Sequence, residues 1–231
     1  MSPTAAPTEA FATLTRILDE RWTCRQFRSD QVPRPTIEAL LRAAQRTPSW
    51  CNTQPWQVAI TEGAATDRFR KELLEHVQSA APAPDFEFPA QYTGVYRDRR
   101  RECGLQLYDS VGIVKGDQAG TMRQALRNFE LFDAPHVAII STEADLGVYG
   151  AVDCGLYIGA FLLAAQSLGL GAAPQAALAS YAPFLREYFG LTENRRVVAA
   201  ISFGYPDTDH PVNGFRTSRE QTDQVAAWFT D

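Results

Sequence analysis

The stretch Thr47-Pro48-Ser49-Trp50-Cys51-Asn52-Thr53-Gln54-Pro55-Trp56-Gln57 gathers hydroxyl and amide side chains between two prolines. Pro48 ends the helix before it, because a residue that precedes proline is pushed out of the α region. Ser49, Asn52 and Gln54 then offer donors and acceptors at near-alternate positions, which in an extended segment line one edge of a planar polar ligand. The plain alternative is a helix-to-strand loop with Trp56 tucked under it, since loops are rich in such residues. A second set of candidates is cationic. Arg21, Thr23 and Arg25 alternate, so an extended backbone points them the same way. Two guanidiniums present forked donors that match phosphate oxygens; the alternative is solvated arginines at a helix end.

Other chemistry is missing from the sequence. It has no nucleophile elbow, HExxH, P-loop or paired-carboxylate arrangement. An enzyme of this kind leaves the reaction to a cofactor that the protein positions and tunes. Four cysteines (Cys24, Cys51, Cys103, Cys154) show no CxxC spacing, and His76, His136 and His210 form no HxxxH pair, so no zinc site is expected. Gly169-Leu170-Gly171 invites a dinucleotide fingerprint, but the third glycine is absent and the segment follows a helix. It reads as a helix end with a glycine exit. Arg97 to Glu102 either meets the phosphates of a nicotinamide cofactor or forms a solvated face.

These candidates need elements to hold them. Thr8 is placed to cap a helix to about Glu20, with Phe11, Leu14 and Leu18 on one face. Pro33-Arg34-Pro35-Thr36 opens a helix with Ile37, Leu40, Leu41 and Ala44 as its stripe. Gln57 to Thr61, Val137 to Ser141 and Arg196 to Phe203 read as strands. Helices are expected over 65–80, 95–107, 121–132 (Met122, Leu126 and Phe129 inward), 149–168, 183–189 and 220–229, the last with a Val225, Trp228 and Phe229 patch. His76 reads as a surface residue. Residues 1–7 are expected to be disordered. The segment 81–94, with three prolines among Phe86, Phe88 and Tyr92, is either a lid or an aromatic-pinned connection, and 81–120 reads as a variable region. With three to five strands, more numerous helices and no regular βα alternation, the expected class is a single α+β domain. The 149–168 helix is apolar nearly all round, with small residues that permit close approach, and a symmetric dimer would cover it.

Composition narrows the field. The 231-residue chain carries a formal charge of −5, against a nucleic-acid or anionic-membrane surface. No signal peptide is evident at the N-terminus. The apolar run from Cys154 to Ala165 is too short to span a bilayer, and dispersed thiols suit a cytoplasmic protein.

PSWCNTQPW resembles the signature PSxxNxQPW of the nitroreductase family of flavoenzymes. Arg21-Trp22-Thr23-Cys24-Arg25-Gln26-Phe27 is similar to that family's opening RxSxRxF, with Thr for Ser. Asn128 to His136 resembles the segment before its second core strand, and Gly204-Tyr205-Pro206-Asp207 and Arg216-Thr217-Ser218-Arg219 resemble its closing motifs. The pieces occur in family order from Arg21 to Arg219. The resemblance implies a nitroreductase-like fold with a mostly antiparallel central sheet flanked by helices, in an intertwined homodimer with interfacial flavin mononucleotide (FMN).

By the same resemblance, Arg21, Trp22, Thr23 and Arg25 hold the flavin phosphate and ribityl chain, with Arg219 and, more weakly, Arg216. Pro48, Ser49, Trp50 and Asn52 reach the flavin from the partner subunit. Gln54 and Asn128 bind polar edges of the ring or its ribityl hydroxyls. Backbone N–H groups of the loop Pro174-Gln175-Ala176-Ala177 face flavin N5, and Phe88, Tyr92, Tyr108 and Phe132 are candidate walls for the acceptor. No side chain is a covalent catalyst; NADPH or NADH passes hydride to flavin N5, and a nitroaromatic, quinone or similar planar acceptor follows in ping-pong order. One departure stands out: many members carry a lysine three residues after the asparagine matched by Asn128, and here Leu131 occupies that place. Lys115, Arg123, Arg127 or a backbone dipole is the candidate substitute. The alternatives are a reductive dehalogenase or flavin-destroying relative, a flavin-binding protein without turnover, and a flavin-free interaction domain.

Overall fold

The computed structural model describes residues 8–230, so the expectation for 1–7 lies outside them. The helices are α1 (Glu9–Glu20), α2 (Arg34–Ala44), α3 (Ala64–Ser79), α4 (Gly94–Ser110), α5 (Gln118–Leu126), α6 (Gly147–Ser167), α7 (Ala176–Ala179) and α8 (Ala182–Phe189). The strands are β1 (Gln57–Thr61), β2 (His136–Glu143), β3 (Gly171–Gln175) and β4 (Arg195–Gly204). They form one sheet of order β1-β2-β4-β3, antiparallel at every pairing. Ala59 lies opposite Ile139, Ile139 opposite Ala200, and Ser202 opposite Ala173.

Alternation along the strands builds two cores. Ala138, Ile140, Ile201 and Phe203 face α2 and α6 and meet Leu40, Trp56, Tyr157 and Phe161. Val137, Ile139, Val197 and Ala200 face the other way, onto Phe69, Leu73, Leu178 and Leu185. The sheet is thus buried on both sides, and its two edges, β1 and β3, are left to carry sites.

The helix starts follow local chemistry. Thr8 Oγ1 accepts from the Phe11 N–H at 3.2 Å, the expected cap. Pro35 sits in the first turn of α2. The α1 stripe of Phe11, Leu14 and Leu18 is exposed in the protomer. The 154–165 run belongs to a 21-residue helix, and with its preceding turn the apolar segment Ala144–Ser167 is long enough to cross a bilayer by length and composition alone. Here Cys154, Tyr157, Phe161, Ala164 and Ala165 pack into the core, while Val148, Val152 and Leu156 stay exposed. Within the protomer α6 is therefore covered on one side, not several.

Three expectations change, and one strand is added. The helix expected over 121–132 spans Gln118–Leu126, and Met122 points outward. Leu131, Phe132 and Asp133 follow with φ of 58°, 54° and 63°, a left-handed turn that no helix continues through. Gly169 ends α6 at φ 71°, the expected glycine exit, and the residues after it form an edge strand, β3, that the sequence reading did not place. The 220–229 segment holds only a short turn at Thr222–Gln224, with Trp228 89% and Phe229 97% exposed. Its apolar spacing fits a helix, but among the described residues no surface receives the stripe. His76 is half-buried, stacked on Phe184 at 4.5 Å, rather than at the surface.

The 81–93 segment is pinned chiefly by a charge, next to the half-buried Phe86. Asp85, nearly buried, pairs with Arg186 and Arg196 and accepts from the Val197 N–H at 2.8 Å. Phe88 and Tyr92 beyond it are exposed.

Candidate functional site

The Arg21–Phe27 segment is extended because it adds to the β3 edge. Thr23 bridges Ala172, the Cys24 N–H donates to the Ala172 carbonyl at 3.1 Å, and Phe27 bridges Pro206. Gly171 permits that approach: a Cβ there would lie 2.9 Å from the Cys24 side chain. From the far end of the chain, Asn213 Oδ1 accepts the Arg25 N–H at 2.8 Å, and its Nδ2 donates to the carbonyls of Gln26 and Asp207. The C-terminal Phe215–Arg219 run then closes over the segment.

The product is a recess of about 390 Å³ onto which Arg21, Trp22, Thr23, Arg25, Arg216 and Arg219 all face. Arg216 lies over the Trp22 ring at 4.3 Å and Arg25 over Phe215 at 5.5 Å. Arg25, Arg216 and Arg219 donate to backbone carbonyls and to the Thr217 hydroxyl. None of the four arginines is in an ion pair among the described residues. Trp22 Nε1 is buried without a partner among the described residues. Burial and the charge of Arg219 lower the pKa of Arg21, and burial lowers that of Arg25. Asp19 is the one carboxylate that lines the recess and it pairs with none of the four; crowded, partly desolvated cations in excess of their counter-charge make an anion site, because a phosphate supplies the missing charge.

The second group sits elsewhere. Pro48 to Gln54 enters β1, at the opposite edge of the sheet from β3. Three strand spacings separate the edges, about 14 Å. Cys51, Asn52 and Gln54 have φ of 51°, 56° and 46°. Such a conformation costs of order 1–3 kcal/mol for each residue other than glycine, with asparagine among the more tolerant. Ser49 Oγ accepts the Gln54 N–H at 2.9 Å, and Gln54 Oε1 accepts from Gln45 Nε2 at 2.9 Å. Those two side chains therefore shape the loop, while Pro48, Trp50 and Asn52 remain at its outer side. The Trp50 N–H donates to both oxygens of Asp153 at 3.2 Å, and its ring meets Tyr149 edge-on at 4.3 Å.

A sequence model described as the Nitroreductase family matches residues 18–205. The chain belongs to that family. Nitroreductase NfnB of Mycolicibacterium smegmatis is 33% identical over 218 residues, covering 94% of this chain and 93% of the relative. A 4-nitrobenzoate reductase of Nocardioides sp. is 29% identical over 228 residues, covering 96% and 91%. The crystal structure of the FMN-dependent nitroreductase NfnB from Mycobacterium smegmatis in complex with NADPH superposes with a TM-score of 0.91 at 31% identity, over 96% of this chain and 100% of that one.

In this nitroreductase, β3 runs directly into α7 at Gln175–Ala176. Pro174 has no N–H and Gln175 is paired with Ala200 in the ladder, so the donors left there are Ala176 and Ala177. The Gln175 side chain turns inward, giving Nε2 to the Asn128 carbonyl at 2.8 Å and accepting from the Ser202 hydroxyl. Asn128 Nδ2 donates to the Ala125 carbonyl at 3.1 Å. These contacts place Asn128 beside the β3 end, on the cradle's side of the sheet.

The acceptor-wall candidates divide. Tyr108 lines a recess of about 750 Å³ with Leu105, Ile113, Val114 and Lys115. Tyr92 is exposed beneath the Arg100 guanidinium, and Phe88 is exposed on the 81–93 segment. Phe132 is no wall: its left-handed turn drives it into a cluster with Cys24, Phe27 and Ala134. Leu131 is fully buried. Arg127 cannot replace the absent lysine, because it is paired with Glu130 and Asp133 and donates to Gln26 Oε1 at 2.8 Å. Lys115 and Arg123 remain the unpaired cations among the three.

Sequence reasoning missed Asn213, Asp153, Arg195 and Gln45, which hold the two groups in place. A single polar residue carries no periodicity. The one local hint was Asn213 beside Gly214, a pair typical of turns.

Proposed function

We propose that the protein is a homodimeric FMN-dependent oxidoreductase that uses NADPH or NADH to reduce nitroaromatic acceptors. The observation that carries this reading is the set of four unpaired guanidiniums around Trp22 at one sheet edge, with the polar loop at the other. The residues fit the cofactor: Arg21, Thr23, Arg25 and Arg219, joined by Arg216, hold the phosphate, and the unpartnered Trp22 Nε1 is a spare donor in the same recess.

The loop of the same protomer lies at the opposite edge of the sheet, a separation of about 14 Å across the strands alone, and toward the other end of the strands. Pro48, Ser49, Trp50, Asn52 and Gln54 therefore serve the cradle of a second copy, and the exposed sides of α1 and α6 are the surface that copy covers. Asn128 and the N–H groups of Ala176 and Ala177, after the paired Gln175, take the polar edge of the ring. When bound, FMN supplies the hydride-transfer chemistry, and N–H dipoles fixed beforehand favour the charge that develops on its ring. Lys115 and Arg123 are the cations available to assist. One recess beside Tyr108 serves nicotinamide and acceptor in turn, which gives ping-pong order, and planar quinones fit the same requirement. The 81–120 region forms the wall and lid of that recess. Free thiols suit a reducing cytoplasm.

A visible spectrum followed by anaerobic addition of NADPH, and then of 4-nitrobenzoate, tests the whole reading. A flavin band that bleaches and then returns is expected. A colourless protein that FMN does not reconstitute sinks it. A bound flavin that neither NADPH nor NADH bleaches leaves a binding protein without turnover.

A further inference from the structure

We propose that Asp153 is a positioning residue for the flavin-facing loop, acting on the Trp50 N–H while Arg195 holds the loop's other end at Pro55. The inference rests on the proposed function, in which residues 48–54 face the flavin.

The loop adopts a shape that its own residues resist. Cys51, Asn52 and Gln54 are left-handed without being glycine, and the internal Ser49–Gln54 bond fixes only part of that shape, so anchors outside the loop must set where it stands. Two groups do so from different elements. Asp153 lies on α6, 5% exposed, and both its oxygens are 3.2 Å from a single backbone N–H, that of Trp50. Arg195, on β4 and 3% exposed, donates to the Pro55 carbonyl at 3.1 Å and is itself oriented by Ser141 and by Glu143 at 3.0 Å. Tyr149, one turn before Asp153 on α6, adds the edge-on contact to the Trp50 ring. Gln45 supports the middle through Gln54 and Trp56.

A buried carboxylate without an ion pair is an expensive way to cap one amide if packing is the only aim. Asp153 is in no ion pair among the described residues, and its one recorded partner is that N–H. Its effect is on where the Pro48–Asn52 backbone stands. Misplacement of such a backbone by a fraction of an ångström weakens every contact that it makes to a planar ring. The phosphate cradle, on the other edge, does not depend on Asp153.

The test compares Asp153→Ala, Asp153→Leu and Asp153→Asn with the wild type. Amide exchange of the 48–57 segment in the flavin-free protein reads the loop directly. Exchange at Trp50 is expected to accelerate about tenfold or more in the Ala and Leu variants and to stay near wild type with Asn, which keeps a carbonyl acceptor. Affinities for FMN and riboflavin are expected to fall together by about tenfold in Ala and Leu, leaving their ratio unchanged because the ratio reports the phosphate cradle. Unchanged exchange overturns the inference. So does faster exchange with unchanged flavin affinity, or a failure of both Ala and Leu to fold, which makes Asp153 a core residue only. A wild type that binds neither flavin sinks the proposed function instead, and exchange at Trp50 then still decides whether Asp153 holds the loop.

Discussion

Asn213 Oδ1 accepts the backbone N–H of Arg25 at 2.8 Å, a bond that joins residues 188 apart in sequence. The same buried amide donates to Gln26 at 2.9 Å and Asp207 at 2.6 Å. It is the stitch between the N-terminal strand segment and the C-terminal arginines. Asn213→Ala leaves the Arg25 N–H and the Asp207 carbonyl without partners, while the Gln26 carbonyl still accepts from the Asp207 N–H at 3.1 Å. At about 1 kcal/mol or more for each orphaned group, the expected loss of stability is about 2 kcal/mol. Urea denaturation measures it, and a weakened FMN affinity in the folded variant is the accompanying result.

Arg25 is the most enclosed cation of the cradle, so Arg25→Ala is expected to weaken flavin retention more than Ala at Arg21, Arg216 or Arg219. Charge-assisted bonds of about 1.5–3 kcal/mol correspond to roughly a 10- to 100-fold rise in the FMN dissociation constant. Riboflavin, without the phosphate, is expected to bind wild type and variant alike. Fluorescence titration of both ligands checks this, and equal FMN affinities would falsify the phosphate assignment. Raising the salt is expected to weaken FMN binding as well, since Arg216 and Arg219 are exposed and open to screening.

Asp85 holds the root of the 81–93 segment through Arg186, Arg196 and the Val197 N–H. Asp85→Ala leaves the half-buried Arg186 without its carboxylate. Removal of one partner from a buried ion pair costs about 3–5 kcal/mol. Limited proteolysis is expected to cut the segment faster in the variant, and a cleavage pattern identical to wild type would show that the pin does not govern it.

His136 sets an acid limit on stability. Burial pulls its pKa below the ordinary 6.5, outweighing the opposing effects of the Thr61 carbonyl and the Glu62 charge. Its Nε2 accepts from the Val32 N–H at 3.0 Å, so the neutral ring with the proton on Nδ1 fits the site. Below the unfolded value of 6.5 the unfolded chain takes up a proton that the native ring refuses. Stability therefore falls as pH drops below that value, by up to about 1.4 kcal/mol per pH unit, until the lowered native pKa is reached. Above it the ring contributes no pH dependence. His136→Gln is expected to flatten the curve in that window, as followed by denaturant midpoints at stepped pH. A wild-type slope in the variant assigns the acid limb to other groups.

The sequence by itself determined the local chemistry. The Arg21–Phe27 and Pro48–Trp56 motifs, the α2 stripe and three of the four strands follow from neighbours a few residues apart. The same logic erred where a pattern had no counterpart surface. Val225, Trp228 and Phe229 are spaced for a helix, yet nothing among the described residues covers them. Phe132 looked available until three left-handed residues turned it into the core. Tertiary structure alone decided that Asn213 reaches Arg25, that Gly171 admits Cys24, that Asp153 and Arg195 grip one loop, and that the loop and the cradle occupy opposite edges of the sheet. The physical reason is range. Periodicity records which face of an element is apolar, whereas a polar side chain's partner is fixed by the packing of elements that lie far apart in the chain.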